Sequence, residues 1–530
     1  MKTGRRSLSA FLFAALLTAY PATAAKLVPA DNPCQGCVFG PVELAIEKLT
    51  PRSFHYQFKA DPQADYTLVV EQLGQAALQA LIQLNGEILS GFRQPISHGE
   101  PHLSPVTLRA FNNFHVVLKG LETGRIRIAI VTTSSLPLSR RACGERTEFF
   151  THYPVDLSLL RSIVPLGSLN PPAHTLPTHH IYLSPNLSSP GDPTSPPSLV
   201  DVHAPGRVEV VAVTRNGPDD FDVHMQPCGE VRSYFFHLQT LDGVIAAALR
   251  SDRWVCFGGS IDEGPCAQRV SVTIDGGQRV GNAPAPRAVN FDWGLIDRRR
   301  PPLPFANAAR YDFSLIDTSI FPPEVVALAP YIAPERLQQF CPAEYLVAAL
   351  GPAFSSLFGS VDGTVRRTVP PLCGAHEQDQ PGTARGNWFT GPGATAFEEG
   401  RTTLALVQDN VNPGRPVFSV SGAFCTPLPT GGESCQWSPG VRGFTPAGTG
   451  LINRDFADIA VGPVYCFENL RGHPGGGPDL EVGRVLVELF ASTPGGAADR
   501  LRMEPIPVTA ATGCGSGPWS FSSAVREFQR

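Results

Sequence analysis

The sequence is poor in methionine, with 3 residues, and only 17% of it is charged. Few long amphipathic stretches occur either, which leaves little room for a helical bundle. Beyond the N-terminus there is no run of about 18 apolar residues, so no membrane-spanning helix is expected. The chain also lacks a Gly-x-Ser-x-Gly elbow, a phosphate-binding loop and a His-Glu-x-x-His pair. That removes the common signatures of serine hydrolases, nucleotide-binding folds and helix-borne zinc peptidases. A basic balance is missing too. The formal charge is −5, where a nucleic-acid binder shows a basic face, so no nucleic-acid partner is expected.

What is abundant is turn chemistry: 51 Gly and 52 Pro. The N-terminus reads as a secretory signal over residues 1–24. Lys2, Arg5 and Arg6 form a positive start, Ala10 to Tyr20 is a short apolar run, and Ala22-Thr23-Ala24 offers small residues for cleavage. Removal of its three positive charges takes the net charge to about −8. A secreted or periplasmic location follows, and it changes the meaning of the 12 cysteines. All lie beyond residue 24, and an even count in an exported chain reads as disulfides. The close spacing of Cys256 with Cys266, and of Cys425 with Cys435, suggests two hairpin-sized bridges. Cys34-Gln-Gly-Cys37 is followed by Val38 rather than His, so it is no haem attachment site and reads as a structural disulfide.

Roughly 505 mature residues are enough for about three domains. Residues 25–150 alternate with period two: Tyr66, Leu68 and Val70, then Phe114, Val116 and Leu118, then Ile126, Ile128 and Ile130. Asn85-Gly86 is a strong hairpin-turn signal. An antiparallel β-sandwich is expected there, similar to scaffolds common in bacterial cell-surface proteins. Residues 151–305 hold short strands and a Pro-rich insertion at 185–199, with Gly276-Gly277 and Gly281 breaking the end. Residues 306–369 read as a helical segment, with helical spacing from Glu335 to Phe340 and from Glu344 to Phe358. Residues 370–530 return to β-patterning and are expected to form a C-terminal β-barrel.

The central part concentrates the chemistry. Residues 174–183 read HTLPTHHIYL and residues 200–213 VDVHAPGRVEVVAV. Further on come Tyr234-Phe235-Phe236-His237-Leu238, then a Gly-rich turn at 276–281, then Asn290-Phe291-Asp292-Trp293. This order resembles the lysostaphin-like (LytM-type) zinc endopeptidases, which cut peptidoglycan cross-bridges. Ala204-Pro205-Gly206-Arg207-Val208 stands near that family's Ala-x-x-Gly-x-Val turn, with the glycine one position early. Residues 234–238 resemble its Tyr-x-His-Leu strand with one extra residue. Asn290 to Trp293 falls where its His-Leu-His-Phe strand belongs.

The resemblance implies a lysostaphin-like β-barrel and a zinc site with altered ligands. The family holds zinc by His, Asp and His. In this chain His174 would supply the first ligand, His179 or His180 would stand near the Asp position, and Asp292 would replace the last His. Two histidines and a carboxylate are a workable zinc set. Asn290 removes one acid/base partner, and His237 would remain as the catalytic one, placed to orient water or stabilise an oxyanion. The expectation is therefore an exported envelope or extracellular protein with a degenerate zinc-metallopeptidase-like domain that binds a peptide, cell-wall or surface ligand. An active zinc endopeptidase is the first alternative. A non-enzymatic carrier using the C-terminal barrel is the second.

Two further stretches carry residue types that invite a site. Asp219-Asp220-Phe221-Asp222 lacks the Gly and Glu of a calcium loop and reads as a solvated turn. Trp388, Asp409, Asn410, Arg454 and Asp455 read as turn and corner residues rather than as the lining of a ligand cavity.

Overall fold

The Asn85-Gly86 turn forms where the sequence puts it, both residues with positive φ (52° and 89°), joining strand Leu78–Leu84 to Glu87–Ile88. The structure is a computed structural model. It describes residues 26–27, 36–47, 50–73, 78–89, 101–120, 122–256, 264–311, 328, 331, 335–428, 432–472, 478–493 and 495–530. The expected signal segment and Cys34 lie outside these residues. The chain divides into two units, Met1–Ala142 and Cys143–Arg530.

The first unit is a sandwich. One sheet is built from Cys37–Ile46, Gly124–Thr132, Tyr66–Gln72 and His102–Val106. The other centres on Arg52–Lys59, Phe111–Gly120 and Leu78–Leu84. The alternating positions meet between the sheets: Leu68, Val70, Phe114, Val116, Leu118, Ile126, Ile128 and Ile130 form one core.

In the second unit an eight-stranded sheet runs in the order Leu160–Val164, Ile181–Pro185, Phe291–Asp297, Val231–Leu238, Asp220–Gln226, Val208–Gly217, Cys266–Ile274 and Val255–Cys256. A three-stranded sheet of Val200–His203, Arg279–Ala283 and Thr240–Leu241 accompanies it. Strand Phe291–Asp297 is buried at every residue. It lies between Ile181–Pro185 and Val231–Leu238 and is covered on both faces, so it shows no alternation. Residues 185–199 leave this sheet as an insertion tied at its base, where the Ser198 amide donates to the Asn186 carbonyl at 2.7 Å. Gly281 does not break the chain. It lies inside Arg279–Ala283, where a Cβ would sit 1.9 Å from the Thr240 carbonyl oxygen.

The helical segment is shorter than its periodicity suggests. Pro342–Tyr345 is a 3₁₀ turn and Gly351–Ser355 a short α-helix. Glu335 to Phe340 is not helical: the Phe340 amide donates to the Leu295 carbonyl at 2.9 Å, and Gln339 bridges Ile296 on strand Phe291–Asp297. Pairing with the sheet overrides the local spacing there.

A nine-stranded sheet follows, with Gly386–Phe389, Thr403–Gln408 and Pro416–Val420 at its middle. Its two end strands, Val464–Phe467 and Arg471–Gly472, are adjacent in sequence. A three-residue connection spans at most about 14 Å, so the sheet curls back on itself. Its interior is filled by aromatic rings. Phe418 lies 4.8 Å from Phe456, 5.2 Å from Phe467 and 5.7 Å from Trp437, centroid to centroid.

Five disulfides occur among the described residues: Cys143–Cys228, Cys256–Cys266, Cys341–Cys373, Cys425–Cys435 and Cys466–Cys514. Cys37 is also disulfide-bonded. Among the described residues no helix is long and apolar enough to cross a membrane.

Candidate functional site

Three barrel strands bring the candidate residues together. His180 immediately precedes Ile181–Pro185, Asp292 sits on the neighbouring Phe291–Asp297, and His237 lies near the end of Val231–Leu238, on the other side of that strand. Register pairs Asp292 with Tyr182 on one side and with Phe236 on the other. The result is a line of polar groups running from the surface inward.

At its inner end His180 Nε2 lies 3.2 Å from Asp292 Oδ2, with each side chain 3% exposed. The contact is close yet misaligned for a hydrogen bond. Both ring nitrogens of His180 and Oδ1 of Asp292 are buried without a hydrogen-bond partner. His237 Nε2 is 3.9 Å from Asp292 Oδ2, and its side chain is 37% exposed. The His237 Nδ1 lies 3.2 Å from both oxygens of Asp220. Its backbone has a φ of 66°, held where the His237 amide donates to Asp222 Oδ1 at 3.2 Å. Asp222 Oδ2 in turn accepts from Thr214 Oγ1 at 2.6 Å and from Asn216 Nδ2 at 2.9 Å.

His174 flanks His180 with ring centroids 5.7 Å apart, and His179 lies 6.4 Å from His376. His179 Nε2 is also buried without a hydrogen-bond partner. The loop carrying these histidines is pinned from the C-terminal side. The Leu176 amide donates to Glu399 Oε2 at 3.2 Å, Glu399 pairs with Arg336, and His376 Nε2 donates to the Arg336 carbonyl at 3.2 Å.

The electrostatics follow from burial. Burial drives His180 and His179 well below the usual imidazole range, aided by neighbouring positive groups including Arg336. His174 is lowered for the same first reason. Burial raises Asp292 to about 7 against the pull of His237, and Asp222 and Asp220 push the same way. Burial also opposes the charged form of His237, but the carboxylates of Asp220, Asp292 and Asp222 outweigh it and bring His237 to about 9.

Neutral imidazoles beside a carboxylate suit a divalent metal. Ligands at about 2.0–2.1 Å in a tetrahedron stand ~3.3 Å apart, and the His180–Asp292 pair is at 3.2 Å. Unpartnered buried lone pairs also fit that use. The third ligand does not close. Among the described residues, groups of three with ligand atoms mutually within 4.8 Å occur only at Cys143, Cys228 and Glu230 and at Cys425, Glu433 and Cys435. Those cysteines are bridged in disulfides, so they offer no thiolate.

Of the residues singled out in the sequence, the structure places His180, Asp292 and His237 in one line, His174 beside them, and His179 next to His376. The expectation of a solvated acidic turn holds at Asp219, exposed in the turn, and fails at Asp220 and Asp222. Asp222 is 5% exposed and Asp220 holds His237. Sequence reasoning also passed over Arg336, His376 and Glu399, whose approach depends on tertiary packing. The C-terminal polar set serves turns and corners. Asp409 Oδ1 accepts from the amides of Val411 and Asn412, Asn410 Nδ2 donates to the Pro165 carbonyl, and Asp455 pairs with Arg385. Trp388 is fully buried and Arg454 pairs with Asp458.

No family model matches the chain. No curated protein matches it. Among solved structures, a zinc-containing peptidase from Vibrio cholerae shares 14% identity over 36% of this chain and 54% of its own, with a TM-score of 0.20. A protein described as a peptidase M23 from Pseudomonas aeruginosa shares 15% identity over 43% of this chain and 86% of its own, with a TM-score of 0.14. The chain thus spans about half the length of the first and most of the second, and at these TM-scores the chemistry rests on the residue geometry alone.

Proposed function

We propose that this is an exported protein, periplasmic or extracellular, whose central barrel is a degenerate relative of the lysostaphin-like zinc peptidases. It keeps a metal-affine pair, has lost the full ligand set, and binds a peptide, cell-wall or other surface ligand without cutting it. One observation carries the reading: His180 and Asp292 stand at ligand spacing, with buried unpartnered atoms on each, and no third ligand atom is in place among the described residues. The positive N-terminal segment and five disulfides support export.

His180 and Asp292 would hold zinc, and His174 is the imidazole nearest to completing the set. Zinc bound there would supply a Lewis acid able to polarise a carbonyl. His237, fixed by Asp220 and partly exposed, would hold a proton at Nε2 facing ligand.

The test is metal analysis of protein purified without a His tag, beside an Asp292→Ala variant, with a cross-bridge peptide digestion assay. Substoichiometric zinc that falls further in the variant, with no cleavage, is the expected result. Absence of zinc in both proteins removes the metal site and leaves a scaffold. Stoichiometric zinc with cleavage lost in His237→Ala would establish the second reading, an active zinc endopeptidase. That reading is favoured by one feature, the Asp220–His237 pair at the open end of the site.

The carrier alternative finds less support. The interior of the C-terminal barrel is packed with aromatic side chains, and the cleft beside it, about 480 Å³, is lined by Arg401, Glu433, Arg526 and Glu527 on the outside.

A further inference from the structure

A second cluster of imidazoles lies in the first unit. His55 on Arg52–Lys59 and His115 on Phe111–Gly120 are directly paired across the two antiparallel strands. Their rings stack with centroids 3.9 Å apart and planes 14° from parallel. Both Nε2 atoms converge on one hydroxyl: Ser53 Oγ is 2.7 Å from that of His115 and 3.3 Å from that of His55. Both side chains are half-exposed on the outer face of the sheet, opposite the packed core.

The hydrogen bonds around His115 set its tautomer. Gln83 Nε2 donates to the Gly86 carbonyl at 2.9 Å, which turns Gln83 Oε1 towards His115 Nδ1, at the long distance of 3.5 Å. An amide oxygen there calls for a proton on Nδ1. The Nε2 lone pair of His115 is then free and accepts from the Ser53 hydroxyl. An outer acceptor on one ring nitrogen with a lone pair on the other is the arrangement that orients a metal-ligating histidine.

We propose that His55 and His115 form a two-point chelate for a borderline divalent transition-metal cation, of the Cu²⁺, Ni²⁺ or Zn²⁺ class. Imidazole suits these ions. Ca²⁺ and Mg²⁺ are excluded by chemistry, since they take oxygen ligands and two imidazoles supply none. A cation at about 2.0–2.1 Å from each nitrogen needs nitrogens roughly 3–4 Å apart and must lie in both ring planes, so the rings, now stacked 14° from parallel, swing out of the stack to bind it. The Ser53 hydroxyl gives its one proton to His115 Nε2 and accepts from His55 Nε2, so the cation displaces this hydroxyl and the His55 proton moves to Nδ1, and water completes the coordination. Burial and the neighbouring His55 hold His115 below the usual imidazole range, which keeps its lone pair available at neutral pH.

The test uses the full mature chain with CuCl₂ as the probe, by calorimetric titration and by Cu(II) electron paramagnetic resonance. Wild type is expected to bind one equivalent at this site, with splitting from two imidazole nitrogens. His55→Asn and His115→Asn should each weaken that binding at least tenfold. His55→Gln, on the exposed face, repeats the measurement if a His115 variant fails to fold. Absence of Cu(II) binding in wild type overturns the proposal. So does binding that survives His55→Asn or His55→Gln undiminished.

Discussion

His180 Nε2 stands 3.2 Å from Asp292 Oδ2 on neighbouring segments of the barrel, and both ring nitrogens of His180 and Oδ1 of Asp292 are buried without a hydrogen-bond partner. A buried carboxylate without a donor is expensive. The folded chain answers by raising Asp292 to about 7. The same two groups are thus a liability without a cation and an asset with one, and this governs how the protein should respond to pH and to metal.

In metal-free protein, Asp292 and His237 contribute stability that falls as pH rises from about 4 to about 9, while the buried His174, His179 and His180 contribute the opposite slope below about 6.5. Asp292 has a folded pKa of about 7 against a usual 3.8. The folded state binds its proton more tightly, so the contribution is present at low pH and lost between about 4 and 7. His237, at about 9 against 6.5, contributes below about 6.5 and loses that contribution as pH rises through about 9. These two signs agree. Urea midpoints measured with chelator should decline from about pH 7 to about 9, and the stability of wild type relative to Asp292→Asn should fall as pH rises from about 4 to about 7. Zinc uptake should show the opposite slope, strengthening as pH rises to about 7, because binding must displace the Asp292 proton.

Much of this architecture was legible in the sequence, for identifiable reasons. The sandwich strands alternate because each sheet buries one face, and Asn85-Gly86 marks its hairpin. Cys256–Cys266 and Cys425–Cys435 were readable because each closes a short hairpin. His180, Asp292 and His237 were found through the order of segments. Asp220 and Asp222 were not, because only the strand register, with Phe221 opposite Leu238, brings them beside His237. The non-helical run at 335–340 also hid, because what overrides its helical spacing is a tertiary bridge, from Gln339 to Ile296.

The Cys143–Cys228 bridge should be the largest covalent contribution to the second unit. It closes a separation of 85 residues, joining the segment that enters the barrel to the turn after Asp220–Gln226. Chain entropy for a loop of that length predicts a loss of about 4–5 kcal/mol when both cysteines are replaced by serine. Glu230, whose carboxylate accepts from the Cys143 amide at 2.8 Å, would lose its fixed partner. A urea midpoint equal to wild type would show that the bridge constrains nothing.

Asp222→Ala should destabilise strongly. Its carboxylate serves three donors, from Thr214, Asn216 and the His237 amide. Removing it strands buried donors at roughly 1–3 kcal/mol each, and the His237 backbone, at φ 66°, loses its anchor. The expected loss is about 3 kcal/mol, read by thermal or urea unfolding. Asp222→Asn should lose less, since its amide oxygen can still accept from part of the set.

Asp220→Asn separates shape from charge at the same histidine. Asp220 is the first raising influence on His237, through the contact at Nδ1, and its side chain is 27% exposed. Replacing it leaves a neutral amide of the same shape, so the variant should match wild type above about pH 9 and lose stability below it, where wild-type His237 is charged. The His237 pKa, followed by its ring-proton NMR shift, should drop from about 9 towards the usual imidazole value, because the charge that favoured the imidazolium has gone. If the pKa stays near 9 in this variant, Asp292 and Asp222 alone set the charge of His237, and Asp220 is only a surface neighbour.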